Sequence, residues 1–234
     1  MKKNIFSILA ALSVLTLVSC DLLPRPDAEK DSYGLTGMTY YADIQLNGDN
    51  PYVVSLGEPF VDPGYTATLQ GKDVTSQVIV NSNVNTETFG VYSVTYNVVN
   101  PDGFTYLVVR DVYVLNPGHI DNLYVSNCRM GNNNFKNITI VINKVREGVY
   151  EIEDLCGGYY FAGRYPGYEP TYNFHATTRF SINEDNTIQI LDYDSWYFVK
   201  SFDYENFEGT YDPETGILDY YFDGIYATLV PFSV

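Results

Sequence analysis

Between residues 38 and 115 apolar and polar positions alternate with a period of two. Tyr40, Ala42, Ile44 and Leu46 fall on one face and Tyr41, Asp43 and Gln45 on the other, as in a strand buried on one side only. The same pattern predicts strands over 52–56, 65–69, 74–80, 91–99 and 104–115. Between them lie Asn47-Gly48-Asp49-Asn50-Pro51, Asp62-Pro63-Gly64, Gly71-Lys72-Asp73 and Asn100-Pro101-Asp102-Gly103, all rich in residues that set turn geometry. Short strands at this spacing, with no convincing helix, predict an antiparallel β-sandwich over 38–116. Asn116-Pro117-Gly118 ends the run at an X-Pro-Gly break, since a proline has no N–H to donate to a sheet. Beyond it Ile138, Ile140 and Ile142 alternate, and a turn at residues 144–148 leads into 149–155. Residues 177–183 pair with 187–191 across Glu184-Asp185-Asn186, and 207–211, 217–222 and 225–231 make a meander. The fold class is therefore all-β, with a β-meander or partly closed barrel over 119–234 following the sandwich.

The first residues follow a different pattern. Lys2 and Lys3 precede an apolar run over 5–17, and Leu17-Val18-Ser19-Cys20 closes it. That arrangement resembles the lipobox of signal peptidase II substrates. It implies that residues 1–19 are a lipoprotein signal peptide and that Cys20 is the lipidated first residue of the mature chain. The apolar run is shorter than the ~20 residues a bilayer span needs. Residues 20–37 carry Pro24, Pro26 and mixed charges and read as a lipidated tether, with the membrane engaged through Cys20.

The formal charge is −16, and loss of Lys2 and Lys3 takes it to −18. So acidic a surface repels phosphate backbones, so no nucleic acid is expected as a partner. With 45% hydrophobic and 16% aromatic residues, the acidity belongs to the surface of a folded protein rather than to a disordered one.

Gly57-Glu58-Pro59-Phe60-Val61-Asp62-Pro63-Gly64-Tyr65, then Gly90-Val91-Tyr92-Ser93-Val94-Thr95-Tyr96, then a turn at Asp102-Gly103 and a Val-rich strand resemble the bacterial immunoglobulin-like domain of many Bacteroidetes surface proteins, also found in a pesticidal crystal protein. The resemblance implies an immunoglobulin-like domain over 38–116 that acts as spacer or support. Gly64 suits a turn conformation costly for other residues, and Tyr92 is placed for a tyrosine-corner hydrogen bond. The second half is similar to the C-terminal domains of small two-domain Bacteroidetes lipoproteins of unknown function. That likeness implies an outer-membrane, lipid-anchored location, at the cell surface or the periplasmic face. It also implies a setting beside SusC/SusD-type nutrient importers, with a glycan or peptide as ligand or a protein as partner.

Residues 157–172 are the most suggestive local feature, an irregular loop expected at the surface and crowded with rings. Tyr159, Tyr160, Tyr165, Tyr168 and Tyr172, with Trp196, offer flat faces for stacking, and Arg164 can orient a polar ligand. The competing explanation is that these rings cover the end of the domain. Cys128 and Cys156 form a disulfide in an oxidising compartment or remain two buried thiols. Neither has a histidine at metal-ligand spacing, and the acidic turns at 183–186 and 192–194 lack the EF-hand pattern, so no metal or cofactor is expected. His119 and His175 are the only histidines, no Gly-x-Ser-x-Gly elbow occurs, and no pair of carboxylates is singled out by its surroundings. The expected function is that of a non-catalytic accessory lipoprotein that binds or presents a nutrient ligand. The alternatives are an assembly role without small-ligand binding and a hydrolase.

Overall fold

The structure, a computed structural model, describes residues 39–169, 171–194 and 206–233. The signal peptide, Cys20, the tether and Trp196 lie outside the described residues. The chain divides into a unit ending at Tyr41 and a unit from Ala42 onward, and the architecture below is that of the second unit.

Residues 43–115 form a two-sheet sandwich. One sheet has the order β1-β3-β4, from β1 (Asp43–Leu46), β3 (Tyr65–Leu69) and β4 (Lys72–Asp73). The other has the order β2-β7-β6-β5, from β2 (Tyr52–Ser55), β5 (Ile79–Ser82), β6 (Gly90–Val99) and β7 (Thr105–Leu115). All pairs are antiparallel except β2 with β7. Ile44, Val54, Ala67, Val94, Val98, Val112 and Val114 fill the space between the sheets. The strand expected over 74–80 is instead a 3-10 turn, Thr75–Gln77, followed by β5. Two side-chain bonds divert the chain there: Thr75 N–H donates to Asp73 Oδ1 at 2.8 Å, and Ala67 N–H donates to Thr75 Oγ1 at 2.9 Å.

Tyr92 makes the expected corner, its hydroxyl donating to the carbonyl of Thr88 at 2.8 Å, and Gly64 has φ +85°. At the centre lies Arg110, fully buried. Its guanidinium donates to the carbonyls of Asp49, Asn47 and Gly64 and to the Tyr96 hydroxyl, and Nε stands 3.4 Å from Asp62 Oδ1. A buried guanidinium needs all its donors met, and here loop carbonyls meet most of them. Arg110 thus ties two turns to the sheet.

Residues 122–231 build one eight-stranded antiparallel sheet in the order β12-β11-β10-β9-β8-β15-β14-β13. Its strands are β8 (Asn122–Met130), β9 (Asn133–Arg146), β10 (Val149–Ile152), β11 (Thr178–Ile182), β12 (Ile188–Tyr193), β13 (Glu208–Tyr211), β14 (Leu218–Phe222) and β15 (Ile225–Pro231). The sheet curls until its ends meet at one bridge, Thr187 with Thr210, where Tyr211 N–H also donates to Asn186 O at 2.9 Å. The result is a nearly closed barrel. Tyr124, Ile140, Ile142, Ile152, Phe180, Leu218, Phe222 and Leu229 point into it.

β7 passes directly into the barrel. Asn116 holds the connection, its N–H donating to Asn122 Oδ1 and its side-chain amide to Asp121. Tyr113 bonds Thr139 Oγ1 at 3.1 Å and meets the Phe232 ring edge-on at 5.1 Å.

Candidate aromatic mouth of the barrel

After β10 the chain turns into the barrel instead of running over it. The turn is organised by Asp154, which is fully buried. Its carboxylate accepts from the N–H groups of Cys156 (3.1 Å), Gly158 (2.7 Å) and Ala176 (2.9 Å), joining both ends of the loop at one side chain. Burial pushes the Asp154 pKa up, while these three donors pull it down. Ser126 Oγ donates to Gly157 O at 2.8 Å from the barrel wall.

Gly157 and Gly158 permit this entry. A Cβ on Gly157 would stand 2.8 Å from Ser126 Oγ, and one on Gly158 would collide with the Ile138 side chain. Gly158 also has φ +84°, which favours glycine. The chain then makes one π-helical turn, Tyr159–Arg164, in which Gly163 N–H bonds Gly158 O and Tyr165 N–H bonds Tyr160 O. Such i→i+5 turns are rare and recur at functional sites.

The residues of the expected surface loop separate into two groups. Tyr159 is core, 2% exposed, edge-on to Phe135 and bonded through its hydroxyl to Asn133. Tyr160 and Tyr165 are half-buried and stacked on each other at 6.4 Å. The first half of the loop is therefore a plug inside the barrel, a correction to the surface placement expected of all of it. Arg164, Tyr168 and Tyr172 are exposed, with Tyr168 at 53% and Tyr172 at 40%. Arg164 lies over the Tyr165 ring at 5.7 Å.

Phe174, which sequence reasoning did not single out, is the buried hub. Tyr165, Tyr168 and Tyr172 meet its ring at 5.3, 6.2 and 6.1 Å. Its one available signal was its place among aromatics just before β11. Phe161 stacks on His175 at 4.1 Å, and His175 Nε2 stands 2.8 Å from Glu169 Oε1, which secures the outer half of the loop. His175 is thus a structural link in the mouth.

Glu153, next to the clamp, accepts from Val141 N–H at 2.8 Å, and burial pushes its pKa up to about 7. Cys128 and Cys156 are two separate buried thiols, the second of the alternatives left open above. Burial pushes the Cys128 thiol up to about 12 and Cys156 well above its ordinary value, so neither is a ready thiolate. Asp192 and Asp194, in the second acidic turn, both pair with Arg179. Among the described residues no group of three or more His, Cys, Asp or Glu is placed to hold a metal ion.

Comparison with known proteins fits this two-part chain. Residues 44–114 match the model of the bacterial surface protein immunoglobulin-like domain. Residues 119–234 match that of the BT2262-like C-terminal domain. The chain thus carries a bacterial surface immunoglobulin-like domain followed by a BT2262-like C-terminal domain. The solved structure of the lipoprotein BT2262 from Bacteroides thetaiotaomicron is 29% identical, covers 82% of this chain and 100% of its own, and superposes with a TM-score of 0.57. Two structures from Clostridium perfringens ZmpB are also similar. The M60 catalytic domain with CBM51-1 and CBM51-2 is 16% identical over 77% of this chain and 14% of its own, with a TM-score of 0.28. CBM51-2 in complex with GlcNAc, with INT domains, is 18% identical over 81% of this chain and 43% of its own, with a TM-score of 0.27. Likeness that slight bears on neither fold nor ligand. No curated protein matches.

Proposed function

We propose that this protein is a non-catalytic lipoprotein, anchored in the outer membrane through Cys20, that binds or presents a glycan or peptide beside a SusC/SusD-type importer. The lipobox-like start supports the anchor, and the similar solved structure BT2262 is that of a lipoprotein. The immunoglobulin-like domain serves as the spacer that carries the barrel.

The single observation behind the binding role is the platform at the barrel mouth. Tyr168 and Tyr172 present exposed rings 6.2 Å apart on the buried Phe174, and Arg164 lies over the ring of Tyr165, which itself meets Tyr168. Rings fixed on a rigid scaffold lose little freedom when a ligand stacks on them, and a mobile loop lacks that advantage. Asp154 provides the rigidity from beneath.

The test is retention of ligand by the full chain on glycan and peptide arrays. Tyr168→Ala together with Tyr172→Ala weakens retention by about tenfold or more, with the unfolding temperature little changed. Unchanged retention by the folded double variant removes the platform from the reading.

A further inference from the structure

A second face of the barrel is built for contact. On the outward side of five neighbouring strands, β9, β8, β15, β14 and β13, side chains line up across the sheet in two rows. The first contains Asn134, Arg129, Tyr226, Tyr221 and Glu208. The second contains Asn127, Thr228, Asp219 and Thr210. Residues directly opposite on antiparallel strands point to the same side, so each row is a continuous line of groups.

Tyr226 forms a ridge in the middle. It is 46% exposed, its ring lies 4.8 Å from that of Tyr221, and the Arg129 guanidinium carbon sits 4.0 Å from its centroid. A hollow of about 220 Å3 on one side takes in Asn127, Arg129, Asn134 and Lys136. A hollow of about 300 Å3 on the other takes in Glu208, Thr210, Asp219 and Tyr221. Tyr226 and Thr228 line both. The first hollow lies where the pairing of β8 with β9 slips between Ser126 and Cys128, a bulge that bends the strands locally. Among the described residues neither Arg129 nor Lys136 has a carboxylate within ion-pair distance, and both line the hollow.

We infer that this wall binds a neutral oligosaccharide lying across the strands. The tyrosine ridge supplies apolar faces for the C–H side of sugar rings, and the amide, hydroxyl, guanidinium and carboxylate groups on either side supply donors and acceptors for ring hydroxyls. Two cations at one end of the wall balance two carboxylates at the other, in a chain whose formal charge is −16, so the wall selects neither an anion nor a cation. Five strands at the usual spacing offer a track of about 19 Å, and two hollows divided by a ridge suit an extended ligand better than a compact one. A peptide would need a free strand edge for backbone pairing, and four of these five strands are paired on both sides.

This site is independent of the mouth platform, and one experiment separates them. The full chain is titrated calorimetrically with a panel of neutral linear oligosaccharides, fragments of β-glucan, α-glucan, mannan and xylan. At least one binds, Tyr226→Ala weakens it by about tenfold or more, Arg129→Gln weakens it severalfold, and Leu107→Ala, on the exposed face of β7 in the immunoglobulin-like domain, leaves it unchanged. Circular dichroism confirms that the variants are folded. No binding by the native chain, or native affinity in a folded Tyr226→Ala variant, overturns the assignment. Loss of saccharide binding in the double variant of Tyr168→Ala with Tyr172→Ala alone places the ligand at the mouth and also removes the wall.

Discussion

Each of the two domains buries one charge at its centre, and each satisfies it with backbone. In the immunoglobulin-like sandwich, Arg110 donates to three loop carbonyls. In the barrel, Asp154 accepts from three loop N–H groups. Both tie irregular chain to a sheet, but they hold different things. Arg110 secures turns at residues 47–50 and 62–64, which carry no ring cluster, whereas Asp154 secures the plug and, through it, the aromatic mouth. The same physical device is structural support in one domain and positions the candidate site in the other.

Removing each charge is the strongest way to break the comparison. Arg110→Met or Asp154→Ala leaves several buried backbone groups without partners, and each costs about 3–5 kcal/mol. Hydrogen exchange distinguishes them. Arg110→Met speeds exchange over 44–114, and Asp154→Ala over 155–178. Exchange spread evenly over both domains in either variant would show that the two clamps do not act locally.

A smaller effect sharpens the barrel side. Glu153 titrates at about 7 in the folded protein against a usual 4.5, because burial favours its neutral form. Between those values the folded chain holds a proton that the unfolded chain has lost, so stability falls as pH rises from about 4.5 to about 7 and then levels off. Glu153→Gln keeps an oxygen for Val141 N–H and removes the cost, stabilising the protein at pH 8 by roughly 3 kcal/mol, with the gain vanishing below pH 4.5. Denaturant melts at the two pH values decide it, and an equal effect at both contradicts the burial account.

The smallest effect lies in the sandwich. Tyr92→Phe deletes the bond to Thr88 and costs about 1 kcal/mol in a chemical melt, with no change in ligand retention.

The sandwich was the more legible domain. Its inward positions are uniformly apolar along β6 and β7, apart from Arg110, so alternation alone marks the strands and their turns. β8 was invisible to that reading because two of its inward positions, Ser126 and Cys128, are small or polar where Gly157 of the plug comes close. The plug was hidden for a related reason: glycines that read as loop flexibility serve close approach to the barrel wall. The exposed half of the aromatic loop was legible from its rings and prolines. Asp154 and Phe174 were not, because one buried carboxylate among 29 acidic residues, and one phenylalanine among many rings, carry no periodic signal.

The central claim is that the barrel meets the ligand and the immunoglobulin-like domain only carries it. Hydrogen exchange on the full chain, with and without a glycan or peptide it retains, tests this directly. The account predicts slower exchange within 119–234, at the mouth or along the wall of β8 and β13 to β15, and none over 44–114. Protection confined to 44–114 would contradict it.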